Sequence, residues 1–334
     1  MGRTDATRAT GVSLIAAVAI TAMLTGISPS RAADAYPNKP IHLVLPQPAG
    51  GAVDLIARTL GDRLSAQMHQ PVVIENMPGA NGSLAAGQVA RATADGYTLF
   101  LAVDTNLVVN PSLYPHITYD PFKDFAPIGI VAKLNLVLVS NPKVPVNSIK
   151  DLIALAKAKP GKLNYGSIGY GSPHHLGMEL FKLDTKTDLT QVQFRGTAPT
   201  MTALISGVVD VTFTGPQAAK SLAQSGKLKI LAVAAPQRAP QMPDVPTMQE
   251  AGVPGFELST WFGMLAPAKA PKAIVEQLSR EVAKAVADPK FKDRITAQGL
   301  EVVGSTPEAM LAQMKTDTVK WRDLIKTVGA KVPQ

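Results

Sequence analysis

Three glycine-containing turns carry the groups in this chain that could do chemistry. The first, Leu43-Val44-Leu45-Pro46-Gln47-Pro48-Ala49-Gly50-Gly51-Ala52-Val53-Asp54, leads from an apolar strand through a Pro/Gly loop onto a helix whose Ile56, Leu60 and Leu64 share one face. The leading amides of such a helix have no partner within it, so they point out of the loop and can hold an anion without a side-chain charge. The turn resembles a phosphate loop that lacks the Gly-Lys-Ser/Thr ending. The second turn, Tyr165-Gly166-Ser167-Ile168-Gly169-Tyr170-Gly171-Ser172-Pro173-His174-His175-Leu176, has three glycines for close backbone approach and two hydroxyls, Ser167 and Ser172. Ser172 reads as an N-cap with Pro173 at the first helical position. The third, Phe194-Arg195-Gly196-Thr197-Ala198-Pro199-Thr200, again joins a strand to a helix. Each is also the pattern of an ordinary tight turn. Convergence on one cleft, where open α/β sheets place their ligands, is what would make them a site.

Catalytic readings are poorer. Ser167 and His174 suggest a nucleophile and base, with Asp54 or Asp210 as third member, but Ser167 sits in Tyr-Gly-Ser-Ile-Gly and not in a Gly-x-Ser-x-Gly elbow. His42, His69, His116, His174 and His175 show no zinc spacing with any acid. Adjacent His174 and His175 on a helix point about 100° apart, which is poor geometry for one metal. One of the pair is expected to be buried or to line a pocket, the other to lie at the surface. No catalysis, metal or cofactor is therefore expected, and Gly-x-x-Gly spacing alone does not imply a nucleotide.

The elements that must position these turns alternate along the chain. Apolar runs predict strands over 41–46, 72–75, 98–103, 127–139, 162–165, 191–194, 209–213 and 229–235. Helical periodicity predicts helices over 53–67, 82–93, 148–159, 172–183, 197–206, 216–226, 271–287 and 306–328. Ser148 with Asp151, and Thr306-Pro307-Glu308, are helix starts. The alternation predicts an α/β fold with mostly parallel sheets flanked by helices. The apolar runs at 126–139 and 256–267 are long for single strands. Read as two hinge strands, they divide the chain into a discontinuous lobe, 36–135 plus 258–334, and a second lobe, 136–257, able to close on a ligand by hinge bending. Trp261 near the second crossing is then expected to report closure.

Arg3 and Arg8 precede a nearly apolar run from Gly11 to Met23, and small-residue sites follow at Ser30-Arg31-Ala32 and Ala33-Asp34-Ala35. The run is short for a membrane span of about 20 residues. Residues 1–35 therefore read as a secretory signal cut after Ala35 or Ala32, with an uncleaved anchor as the alternative. The chain has no cysteine, so a secreted protein of this size relies on its core, as suits a periplasm. The formal net charge of +8 is spread over helices and not gathered in a block. That argues against nucleic-acid binding and leaves a mild field that steers anions.

Ordered motifs along 36–329 give this chain a resemblance to a known family, the Bug-type periplasmic receptors of tripartite tricarboxylate transporters. They are Tyr36-Pro37-Asn38-Lys39-Pro40-Ile41, Pro48 to Asp54, Glu75-Asn76-Met77-Pro78-Gly79-Ala80-Asn81-Gly82, Asp95-Gly96-Tyr97-Thr98-Leu99 and Asn110-Pro111-Ser112-Leu113-Tyr114. Further on come Tyr119 to Pro127, Lys159 to Ser167, Pro243-Asp244-Val245-Pro246-Thr247 and Trp261-Phe262-Gly263. The resemblance implies a two-lobed Venus-flytrap receptor, a monomer, that binds a small aliphatic or aromatic carboxylate and delivers it to membrane permease subunits. It also implies a carboxylate held by backbone N–H groups, hydroxyls and water. Pro48, Ala49, Gly50, Gly51 and Ala52 would come from one lobe, and Ser167, Gly169, Ser172, Thr197 and Ala198 from the other. Ser167, Ser172 and Thr197 are expected to donate to it, while Thr105, Tyr170 and Thr214 shape selectivity. Asp104 stands where the family often has Ser or Thr and, with His174, could line the cleft or point away from it; Tyr170 could stack on an aromatic acid or lie on the rim. The alternatives are an accessory receptor for a sensor kinase and a secreted hydrolase.

Overall fold

Strand β1 (Ile41–Leu45) is buried on both faces, as a run of Leu and Val between two helical layers must be. Helix α1 (Ala52–Met68) follows and packs Val53, Ile56, Leu60 and Leu64 inward. Then come β2 (Val72–Asn76), a short turn at Ala80–Gly82, α2 (Ser83–Ala90) and β3 (Thr98–Val103). Both β2 and β3 pair with β1 in parallel. This computed structural model describes residues 36–330, and the expected signal segment 1–35 lies outside them. From Lys39 onward the chain forms one compact unit.

Two short helices, α3 (Asp104–Val108) and α4 (Asn110–Leu113), lead to the long strand β4 (Phe125–Asn135). One residue, Leu136, separates β4 from β5 (Val137–Ser140) in a second sheet. That sheet is completed by α5 (Ile149–Ala158), β6 (Asn164–Ser167), α6 (Pro173–Thr185), β7 (Thr190–Gln193), α7 (Thr197–Ser206), β8 (Val211–Thr214), α8 (Pro216–Gln224) and β9 (Lys229–Val233). The chain returns through β10 (Ser259–Pro267) to the first sheet and ends in α9 (Lys272–Ala287), α10 (Pro289–Thr296), β11 (Glu301–Val302) and α11 (Pro307–Val328).

The first sheet has the order β11-β4-β10-β3-β1-β2 and the second β7-β6-β8-β5-β9. They are mixed, which corrects the mostly parallel expectation. β10 runs antiparallel between β3 and β4, and β5 antiparallel between β8 and β9. The cause is topological: a chain that leaves by one strand and comes back beside it must return in the opposite direction. The strands adjoining the crossing are tied by backbone bonds. Leu136 N–H donates to Leu258 O at 3.1 Å, Ala234 N–H to Leu136 O at 2.8 Å, and Leu258 N–H to Ala234 O at 2.9 Å.

One hydrophobic cluster runs through both sheets, from Val44 and Phe100 to Phe181, Phe213 and Phe256, with Met310 and Trp321 of α11 joining it. Several helix starts act as their sequence indicates. Ser148 accepts from Asp151 N, Thr306 from Ala309 N and Ser172 from His175 N. Helix α10 was not among the expected elements, although Asp288-Pro289 is a cap followed by proline, and the Asp288 carboxylate accepts from the amides of Lys290 and Phe291. Helices α3 and α4 are too short to show a period.

Candidate ligand cleft

A cleft of about 720 Å³ opens between the loops of the two sheets. Its first wall begins with the turn after β1. Gly51 caps α1 without any side-chain bond, so no side chain occupies the leading amides of that helix. What holds the turn is Asp54, 5 % exposed. Its carboxylate accepts from Gly50 N–H at 3.1 Å, from Arg58 at 3.0 Å through both Nε and Nη2, and from Asn76 Nδ2 at 3.2 Å. The Arg58 guanidinium beside it holds this carboxyl below the usual range. Asn76 also donates to Gln47 O at 3.0 Å, closing the loop on itself. Gly50 has φ +91, a backbone region disfavoured for any residue with a Cβ.

Three asparagines support the next part of this wall. Asn81, itself at φ 49, donates to Asn110 Oδ1 at 2.8 Å and accepts at its carbonyl from Asn106 Nδ2 at 2.8 Å and Asn110 Nδ2 at 3.0 Å. These amides fix α3, and with it Thr105, at the cleft edge. Gly82 (φ +80) must be glycine, since a Cβ would stand 2.4 Å from Asn106 Nδ2 and 2.6 Å from Pro46 Cβ.

The second wall is the turn from β6 to α6. Ser172 Oγ accepts from His175 N–H at 3.3 Å and donates to Gly169 O at 2.7 Å. Gly171 N–H donates to His175 Nδ1 at 3.2 Å, and the Tyr170 and His175 rings meet edge-on with centroids 5.3 Å apart. His174 is only 7 % exposed, lines the cleft, and neither of its ring nitrogens bonds a protein group. Burial lowers its pKa to about 4. The third turn contributes Thr197, the first residue of α7, whose cap Gly196 (φ +115) makes no side-chain bond. Gly171 touches the first wall directly: a Cβ there would lie 2.2 Å from Leu113 Cδ2 of α4.

Of the residues singled out from the sequence, Gly51, Ala52, Thr105, Gly169, Tyr170, Ser172, His174 and Thr197 line the cleft together. Pro48, Ala49, Gly50 and Ala198 are exposed and stand outside the lining. Ser167 is wholly buried behind it, its hydroxyl accepting from Gln191 Nε2 at 2.8 Å. Thr214 is equally buried off the lining, with a hydroxyl that bonds no protein group. Asp104 does not line the cleft either. Its carboxylate accepts from Thr105 N–H at 2.7 Å, and burial, with Asp317 nearby, pushes its pKa well up. Trp261, 3 % exposed, donates from Nε1 to that same Asp317 at 2.8 Å.

The sequence reading missed Gln47, Asn81, Tyr114, Gln193, Thr260 and the apolar lining of Val103, Leu134, Leu136, Ile168, Pro173 and Phe262. Asn81 and Tyr114 belong to the motifs 75–82 and 110–114, and the crossing strands supply Leu134, Thr260 and Phe262. No Lys, Arg, Asp or Glu lines the cleft. Among the described residues no group of three or more His, Cys, Asp or Glu could hold a metal ion. A second groove of about 920 Å³ is lined by Lys133, Asn135, Arg238 and Lys292 among others. Lys133 and Asn135 alternate along the crossing strand with the cleft residues Leu134 and Leu136, so the groove lies behind the hinge.

Two mixed sheets with crossing strands between them and an interlobe cleft define the two-lobed α/β fold of the periplasmic binding proteins. Within that class, the chain belongs to the family described as tripartite tricarboxylate transporter family receptor, which matches residues 56–330. It is 35 % identical over 320 residues to protein BugT of Bordetella pertussis, covering 96 % of this chain and 98 % of BugT. Among solved structures it is similar to R. palustris Rpa4515 with adipate, at 34 % identity and TM-score 0.81, covering 89 % of this chain and 100 % of that one. It is also similar to MatC from Rhodopseudomonas palustris with bound malate, at 31 % identity and TM-score 0.76, covering 87 % and 100 %.

Proposed function

We propose that this chain is a periplasmic receptor that binds a small organic carboxylate between its lobes, performs no chemistry on it, and delivers it to the permease subunits of a tripartite tricarboxylate transporter. The observation that carries the reading is the cleft itself. Both lobes line it, helix starts without side-chain caps stand at Ala52 and Thr197, and no charged side chain occupies it. Helix N-termini favour an anion by roughly 0.3–1 kcal/mol each, more where water is excluded. A site without arginine also leaves no buried cation to solvate when it is empty. The adipate and malate bound by the two similar R. palustris proteins support the ligand class.

In this reading the lobes are 36–135 with 258–334, and 136–257. The backbone at Gly51, Ala52, Gly169 and Thr197 holds the carboxylate, and Thr105 and Tyr170 shape what attaches to it. Ser167, Thr214, Ala198 and Pro48 to Gly50 support the wall without touching ligand. A thermal-shift screen of the chain from Tyr36 onward against aliphatic and aromatic carboxylates, with amines and sugars as controls, tests it. Saturable stabilisation by one or more acids is expected. Stabilisation by sugars or amines alone, or by nothing, overturns the reading.

A further inference from the structure

Two adjacent histidines in α6 are used in opposite ways. His175 is spent on the scaffold: its amide donates to Ser172, its Nδ1 accepts from Gly171, and its ring packs on Tyr170. His174 belongs to the cleft lining, 7 % exposed, with both ring nitrogens buried just beneath its surface and bonded to no protein group. A buried polar group without a partner destabilises a fold, and such groups persist where a ligand satisfies them.

Two other polar side chains of the lining are committed to protein partners, while the remaining hydroxyls and amides there, Thr105, Gln193 and Thr260 among them, are not buried without a partner as His174 is. Asn81 donates to Asn110, and Ser172 bonds Gly169 O and the His175 amide. No Lys or Arg lines the cleft, so no fixed cation waits for a second charge. A buried imidazole held neutral offers one N–H donor and one lone pair, which suits an oxygen group and not a methyl. On the crossing strands, Leu134 and Leu136 offer apolar surface and Thr260, paired with Leu134, a hydroxyl.

We infer that His174 is a specificity-determining residue of this cleft. Its ring bonds a second oxygen group of the ligand, a hydroxyl, carbonyl or further carboxyl, while the loop amides hold the first carboxylate. The inference rests on the receptor reading above and narrows its ligand class from carboxylates in general to oxygen-bearing acids over plain alkanoates.

Calorimetric titration with matched probes tests it: butyrate against 3-hydroxybutyrate and succinate, and hexanoate against adipate. The wild-type protein is expected to prefer an oxygen-bearing member of at least one set by tenfold or more. His174→Phe, which keeps ring volume and removes both nitrogens, is expected to cut that preference below about threefold by weakening the oxygen-bearing acid alone. His174→Gln, which keeps a donor and an acceptor, is expected to restore part of it, and it carries the test if the Phe variant does not fold. An equal loss on both members of a set, an unchanged preference, or no wild-type preference overturns the inference while leaving carboxylate binding intact. Failure of every carboxylate in the wild-type screen overturns the receptor reading and this inference together.

Discussion

The two walls of the cleft are both strand-to-helix turns, yet they are built by different means. The turn after β1 is held from behind. Asp54, Arg58 and Asn76 lock it, and only small residues, Gly51 and Ala52, reach the cleft from its helix start. The turn before α6 is held from within by Ser172, Gly171 and His175, and it presents two rings, Tyr170 and His174, to the cleft. In the proposed reading, backbone of both turns holds the carboxylate, while the rings of the second turn, with Thr105 of the first wall, bear on which acid is preferred.

Substitutions at the two walls should therefore have unlike effects. The largest is expected from Asp54→Ala. It removes the acceptor of several hydrogen bonds, including a charge-assisted pair, and should cost about 2–3 kcal/mol of stability. It should also weaken every carboxylate alike by at least tenfold, as read by thermal melts and calorimetry. Gly171→Val tests the contact between the walls. Its Cβ would meet Leu113 at 2.2 Å from a residue at φ +73, so it should hold the lobes apart. Ligand affinity should fall about tenfold, and the contraction seen by small-angle scattering on binding should shrink, for a stability loss of only about 1–2 kcal/mol. Unaltered contraction would show that the lobes close without this contact.

Ser172→Ala is expected to cost about 1 kcal/mol as a lost helix cap. Affinity should change little, because that hydroxyl donates to Gly169 O and not outward. A loss of affinity as large as that of Gly171→Val would place Ser172 on the ligand.

Two buried carboxylates of the first lobe should respond to pH in opposite senses. Asp54 is depressed by Arg58, so its contribution is present above the ordinary carboxylate range and is lost as pH falls through its folded value. Asp104 is raised by burial, so its contribution is full below the ordinary range and is lost as pH climbs through its folded value. Asp104→Asn should accordingly raise the melting temperature at pH 8, with the gain shrinking toward pH 4. A gain that stays constant across that range would contradict the raised pKa.

Most strands and long helices were legible because burial imposes a period on them. Ile56, Leu60 and Leu64 of α1 are an example, and capping residues such as Ser148 and Thr306 marked helix starts. The strand directions were not legible, since no local pattern says that β10 inserts antiparallel beside β3. The glycine turns of the site were visible for the same reason as the caps, because backbone geometry restricts residue type. Which hydroxyls face the cleft was not visible. Ser167 and Ser172 share one turn, but strand pairing buries the first against Gln191 while the second caps a helix at the surface of the cleft. Asp104 was ambiguous in the same way, and its carboxylate is satisfied by the Thr105 amide away from the lining. The asparagine network behind Asn81 depends on three separate segments, so no local motif could reveal it.

Where a ligand sits separates the cleft from the groove behind the hinge. A crystal structure with the acid that stabilises the protein most should show one carboxylate between the Gly51–Ala52 backbone and the 169–174 turn. A carboxylate bound in the groove lined by Lys133, Arg238 and Lys292 behind the hinge, or held by one wall alone, would contradict it.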